Sequence, residues 1–217
     1  MSQEERAATE RPLPNKGGNA VPSSVRFGKD WTGERLPAAG EIGRVLDLGP
    51  GSGTYSRLFR KRYQSAEWVA IEAWGPYVKQ FDLKSRYDRV IVADVRYVDY
   101  NLFGNFDICF CGDILEHMPE ADARTLIDGL LNRCKLLFMS VPIGHFPQGD
   151  VGGNEFEIHV VDNYSEARIR ELYPEIVDGT VGTEGRWTVG VFALTRHEDI
   201  AARLRQPIAT AGSPSAA

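Results

Sequence analysis

Apolar residues in this chain fall into short, β-rich runs separated by polar, helix-compatible stretches, and that rhythm predicts strands at 44–48, 67–72, 89–94, 106–111 and 135–141. The runs are near-continuous rather than alternating, the pattern of parallel strands covered on both faces. Helices are expected between them at 55–62, 75–83, 121–132 and 165–172, the last opened by Ser165 as N-cap. The rhythm then changes: runs at 175–181 and 187–195 are separated only by residues 182–186, too few for a crossover, so this pair predicts an antiparallel hairpin. The fold class read from the pattern is α/β, with helices on both faces of one sheet. Residues 1–28 show no apolar period and read as a flexible arm, and 205–217 as a frayed Pro/Ser/Ala tail, leaving one domain over 29–204.

Composition narrows this further. With 217 residues, 42% hydrophobic and 25% charged, the chain can bury a single core and is neither collagenous nor disulfide-stapled. Apolar runs fall well short of the roughly 18 residues a membrane span needs, and the charged start MSQEERAATERP is unlike a signal peptide, so a cytoplasmic location is expected. Cys109, Cys111 and Cys134 are odd in number and sit inside apolar runs, which predicts reduced core thiols rather than a metal set. A net charge of −5 disfavours a nucleic-acid surface and suits a small acceptor substrate that is neutral or cationic.

The chemistry concentrates at strand ends. Val45-Leu-Asp-Leu-Gly-Pro-Gly-Ser-Gly-Thr54 is a buried strand running into a Gly-rich turn and a helix, with Gly49, Gly51 and Gly53 letting backbone approach a ligand. The dinucleotide fingerprint wants a third glycine where Thr54 stands, and no Gly-Lys-Ser/Thr follows, so phosphate-binding readings weaken. Glu72 ends the second strand nineteen residues after Gly53, placed to accept ribose hydroxyls. Asp94 and Val95 end the third, offering an acceptor for an exocyclic amine and an amide for a ring nitrogen. Together with Asp47 and Asp113 this makes four acidic groups at or near successive carboxyl ends, a pocket that repels pyrophosphate and attracts a cation.

VLDLGPGSG (45–53), the acidic residue of AIEAW (70–74), ADV (93–95) and CGDILEHM (111–118) resemble the successive signature segments of class I S-adenosylmethionine-dependent methyltransferases, over about residues 44–195. The resemblance implies a Rossmann-like seven-stranded sheet of order 3-2-1-4-5-7-6 with strand 7 antiparallel. It places the Gly49–Gly53 loop against the amino acid part of the cofactor, Glu72 on the ribose, Asp94 and Val95 on the adenine, and Cys111 to Asp113 beside the sulfonium. Trp74 is a candidate to stack on adenine or ribose. S-adenosylmethionine is the implied cofactor and methyl transfer to an oxygen or nitrogen of a small molecule the implied reaction, with secondary metabolism as its setting. Aminopropyl or aminocarboxypropyl transfer, cofactor cyclisation, or a non-catalytic S-adenosylmethionine-binding module are the alternatives.

For the chemical step, His117 is a candidate base, and the long Gly/Pro-rich segment after the fifth strand adds His145, Glu157 and His159 as a substrate lid. In extended backbone Glu157 and His159 share a face, so the carboxylate is expected to orient the imidazole. Asp113-x-x-Glu116-His117 also resembles the Glu-x-x-Glu-His metal motif of ubiquinone-pathway O-methyltransferases and small-RNA 3′-terminal methyltransferases, with Asp in place of the first Glu. A divalent metal on Asp113, Glu116 and His117 is therefore considered but not favoured, and His197 reads as surface.

Overall fold

The computed structural model describes residues 26–206, so most of the expected arm and tail lie outside the described residues. Seven strands, β1 (Arg44–Leu48), β2 (Glu67–Glu72), β3 (Arg89–Val92), β4 (Phe106–Gly112), β5 (Cys134–Pro142), β6 (Ile176–Glu184) and β7 (Trp187–Leu194), form one sheet of order β3-β2-β1-β4-β5-β7-β6. The first five are mutually parallel, and β7 pairs antiparallel with both β5 and β6. This is the order and sense expected above. Six helices accompany them: α1 (Lys29–Arg35), α2 (Thr54–Phe59), α3 (Gly75–Gln80), α4 (Glu120–Leu131), α5 (Glu166–Leu172) and α6 (Glu198–Leu204). Ser165 caps α5 by accepting from the Arg168 amide at 3.1 Å.

Several details differ from the sequence expectation. Helices α1 and α6 were not anticipated, and α2 and α3 end earlier than expected, α3 giving way to a 3-10 turn at Leu83–Ser85. Strand β3 stops at Val92 because Asp94 caps the next 3-10 turn, and as an edge strand it is only partly covered rather than buried on both faces. The hairpin loop is two residues, not five: β6 runs to Glu184 and β7 starts at Trp187, with the Thr183 and Thr188 hydroxyls 2.9 Å apart across the ladder. Polar residues there form the exposed tip of the hairpin, at 183–186, which an apolar-run criterion misses.

Side chains alternate between two cores. Leu46, Leu48, Cys109, Cys111, Leu137 and Met139 pack under α4 and α5, whereas Val45, Trp68, Ile108, Phe110 and Phe138 pack with α2. In the second core Tyr55 stacks on Phe110 with centroids 4.4 Å apart. All three cysteines are free and buried. Among the described residues no helix is long and apolar enough to cross a membrane.

One charged cluster ties the far end together. Glu175, just before β6, accepts from Arg124 of α4 at 2.6 and 2.8 Å and from Arg196, just past β7, at 2.9 Å. Arg124 holds the Glu175 carboxyl well below its ordinary value, at about 2. A depressed carboxylate stabilises the fold above its unfolded value of about 4.5, and that contribution is lost as pH falls toward 2. Glu175→Gln is expected to cost about 1–2 kcal/mol at pH 7 in urea unfolding, since a charged hydrogen-bonding partner is removed from two arginines. The gap from wild type should close between pH 4.5 and 2; a pH-independent gap would assign the loss to packing instead.

Candidate functional site

At the carboxyl ends of β1 to β4 the sheet opens into a cleft of about 850 Å³. Its floor is the turn after β1. Gly49, with φ of +54°, donates its N–H to the Ile71 carbonyl at 2.9 Å and so extends the sheet by one residue before the chain turns. A Cβ there would lie 2.5 Å from Ile114 Cγ2, so only glycine fits.

Glu72 clamps that turn. It is 5% exposed, its Oε2 accepts from the Gly51 amide at 3.2 Å and its Oε1 from the Trp74 amide at 2.9 Å, while the carboxylate faces the cleft. Burial pushes its pKa up against those two bonds. Asp94 lines the next position, its carboxylate gripped by the Arg96 guanidinium at 2.5 and 3.0 Å; burial opposes its charge, but Arg96 wins and holds the pKa down. Val95 lies beside it in the lining. Asp113, at φ +55°, completes the acidic rim and accepts the Ser140 hydroxyl at 2.8 Å.

Of the residues singled out in the sequence, Gly49, Gly51, Glu72, Asp94, Val95, Asp113, His117, Glu157 and His159 line this one cleft. Asp47, Gly53, Trp74, Cys111 and His145 lie outside the lining. Asp47 points into the α2-side core, where it accepts the Tyr87 hydroxyl at 2.5 Å and burial pushes its pKa up to about 7. Gly53 is the left-handed N-cap of α2, Trp74 contributes its amide to Glu72, and the Cys111 thiol is sealed in the α4-side core. The His145 side chain is 74% exposed, with the Asp162 carboxylate 3.8 Å from its Nδ1.

The loop also arranges its imidazoles differently from expectation. Asn154 caps a 3-10 turn at Glu155–Glu157, so the backbone is not extended there, and Glu157 instead accepts the Tyr77 hydroxyl at 3.2 Å. His159 is oriented by the Phe146 carbonyl, 2.5 Å from Nδ1, which must therefore carry the proton. Its ring stands edge-on to His117, centroids 5.0 Å apart. Burial drives His117 down to about 4 and lowers His159 as well, so both rings are neutral at pH 7. Glu116, buried between them and Asp113, is pushed well above the usual carboxyl range. One ligand atom from each of Glu116, His117 and His159 lies within 4.8 Å of the others; Asp113, in the metal set considered from sequence, is not part of this group.

Other lining groups had weak sequence signals. Phe146 packs on Trp187, centroids 4.1 Å apart, and Arg186 lies 4.1 Å above the Trp187 ring. An aromatic residue inside a Gly/Pro-rich loop was the available clue. Tyr55 had none, nor did Lys29, which lies outside the lining but backs it, a 5% exposed lysine that donates to the Tyr55 hydroxyl at 3.1 Å. Burial opposes its charge, but Tyr55 and Asp113 raise its pKa overall.

Residues 45–135 match the family model of a methyltransferase domain. No curated protein matches the sequence. Among solved structures, the N-terminal domain of EvdMO1 with SAH bound is 14% identical, with a TM-score of 0.58 over 79% of this chain and 82% of that one. An S-adenosylmethionine-dependent methyltransferase from Clostridium acetobutylicum is 15% identical, with a TM-score of 0.56 over 76% and 87%. Magnesium protoporphyrin IX methyltransferase from Synechocystis, with bound SAM, is 18% identical, with a TM-score of 0.53 over 81% and 86%. At these identities the likeness establishes the shared fold.

Proposed function

We propose that this chain, which carries a methyltransferase domain from β1 to the start of β5, transfers a methyl group from S-adenosylmethionine to an oxygen or nitrogen of a small molecule. The observation that carries the reading is Glu72: a carboxylate fixed by two backbone N–H groups at the tip of β2, facing the cleft with further lone pairs unspent. A vicinal diol is the natural partner for such a group. Gly49 and Gly51 lie against the methionine portion, Val95 against the purine with Asp94 at its rim, and Asp113 near the sulfonium. The acidic rim suits a cation without phosphate.

S-adenosylmethionine supplies an electrophilic methyl group, so the chain's contribution is alignment, exclusion of water and acceptance of a proton. The acceptor lies against the aromatic pair Phe146 and Trp187, whose rings are inclined by 36° and whose faces favour a ring-shaped small molecule. Because His159 Nδ1–H is committed to the Phe146 carbonyl, Nε2 presents a lone pair. The acceptor's O–H or N–H proton goes to that nitrogen, the freed pair forms the bond to the methyl carbon, and the C–S pair returns to sulfur. His117 and Glu157 line the same cleft.

Incubation with S-adenosylmethionine and a panel of ring-bearing alcohols, phenols and amines should release S-adenosylhomocysteine; methylthioadenosine as the product would overturn methyl transfer in favour of aminopropyl or aminocarboxypropyl chemistry or cyclisation. His159→Ala should lower kcat by about 10²–10⁴-fold, the usual worth of a positioned base, with S-adenosylmethionine affinity within about threefold of wild type. An unchanged kcat would remove His159 from the reaction.

A further inference from the structure

Charge is unevenly spread along the cleft. The sheet order puts the carboxylates of Glu72, Asp94 and Asp113 at the tips of β2 to β4, whereas Arg26 and Arg186 line the end beside the β6–β7 hairpin. A third lining arginine, Arg96, is spent on Asp94 at 2.5 and 3.0 Å. Arg26 and Arg186 make no ion pair among the described residues. The lining carboxylates Glu184 and Glu157 are held by other groups, the Phe27 amide at 2.6 Å and the Tyr77 hydroxyl at 3.2 Å, and Glu116 is buried. The fold builds this placement. Phe27 seats against Gly182, where a Cβ would meet its ring at 2.3 Å, and its bond to Glu184 brings the preceding Arg26 to the hairpin. Arg186 lies over the Trp187 ring at 4.1 Å, an arrangement that leaves guanidinium N–H groups free at its edge.

These groups form a row. The His159 ring lies 5.5 Å from Phe146, Phe146 lies 4.1 Å from Trp187, and the Arg186 guanidinium stands 4.1 Å above Trp187. We propose that the acceptor is an elongated ring compound with a carboxylate at the end opposite its reacting hydroxyl or amine: the carboxylate sits on Arg186 and Arg26, the ring lies against Phe146 and Trp187, and the reacting group meets His159. A guanidinium offers paired N–H groups that match the two oxygens of a carboxylate, and such charge-assisted bonds are stronger than neutral ones. The chain's net charge of −5 suggests a neutral or cationic acceptor, but the sign within reach of the hairpin end is positive. So charged, the cleft takes a cation at its acidic rim and an anion at its far end. Which end of the acceptor reacts rests on the proposed methyl transfer, whereas the seat for the carboxylate does not.

The test is calorimetry of the full chain in the presence of S-adenosylhomocysteine, with para-hydroxyphenylacetate and para-hydroxyphenylpropionate each titrated against its primary amide. Each acid should bind about tenfold or more tightly than its amide, the worth of charge-assisted bonds to arginine. Arg186→Gln and Arg26→Gln should each cut that preference about threefold, and the double variant should bring acid and amide to within about twofold of each other while amide affinity holds. Lys79→Gln, which removes an exposed cation outside the lining, should keep the wild-type preference, and circular dichroism checks that each variant is folded. The seat is refuted if neither acid binds more tightly than its amide, if the folded double variant keeps the preference, or if the double variant weakens acid and amide alike. Turnover with S-adenosylmethionine separates the two readings. Preferred binding of the acids with no S-adenosylhomocysteine formed from S-adenosylmethionine keeps the seat and overturns methyl transfer to the molecule it holds; methylation of amides as readily as acids does the reverse.

Discussion

Glu72→Gln is expected to weaken S-adenosylmethionine binding by about 100-fold. The carboxylate uses one oxygen on the Gly51 amide and the other on the Trp74 amide. A glutamine has a single acceptor oxygen, so its NH₂ must face one of those two N–H groups, and the Gly-rich turn loses half its clamp. The diol bonded to the same carboxylate loses charge assistance, about 1.5–3 kcal/mol for a hydrogen bond to a charged group. At about 1.4 kcal/mol per tenfold, one such bond plus a loosened turn reaches two orders of magnitude. Isothermal calorimetry measures it directly, and a Kd within about threefold of wild type would show that Glu72 does not hold the ribose.

Gly49→Ala should be strongly destabilising. The residue sits at φ +54°, and the added carbon would meet Ile114 Cγ2 at 2.5 Å. The left-handed conformation costs a non-glycine residue about 1–2 kcal/mol and overpacking about 1–3 more, so urea unfolding should report a loss of about 2–5 kcal/mol. Against a usual total of roughly 5–15 kcal/mol, that is a large share. Backbone relief is blocked because the Gly49 N–H is bonded to Ile71 at the end of the sheet. Ile114 must yield instead, and it lies between Asp113 and the Glu116–His117 turn, so the cleft wall should shift with it. A loss under about 0.5 kcal/mol would show that Ile114 moves freely.

The sheet was legible in the sequence because buried parallel strands are continuous apolar runs, and the acidic residues at or just past the ends of β2, β3 and β4 could be counted to its open edge. What escaped was set by alternation and by local hydrogen bonding. Asp47 was grouped with the rim by its position along β1, yet Leu46 and Leu48 flank it on the opposite face, and a two-residue period sends its side chain to the other core. His159 was paired with Glu157 on the assumption of extended backbone, and the Asn154 cap replaced that with a turn. Helix α1 went unseen because its buried positions include Lys29 and Thr32, which read as solvent-facing until Tyr55 and the Gly28 carbonyl appear as their partners.

Strand β4 shows what this economy entails. Ile108 and Phe110 serve one core, Cys109 and Cys111 the other, and the same run delivers Asp113 and His117 to the cleft two and six residues after Cys111. Slippage by a single residue against β1 and β5 would press phenylalanine where sulfur belongs and carry both polar groups past the opening. Misthreaded copies would therefore be loose and inert at once, so material that melts cooperatively is also material whose chemistry is correctly assembled.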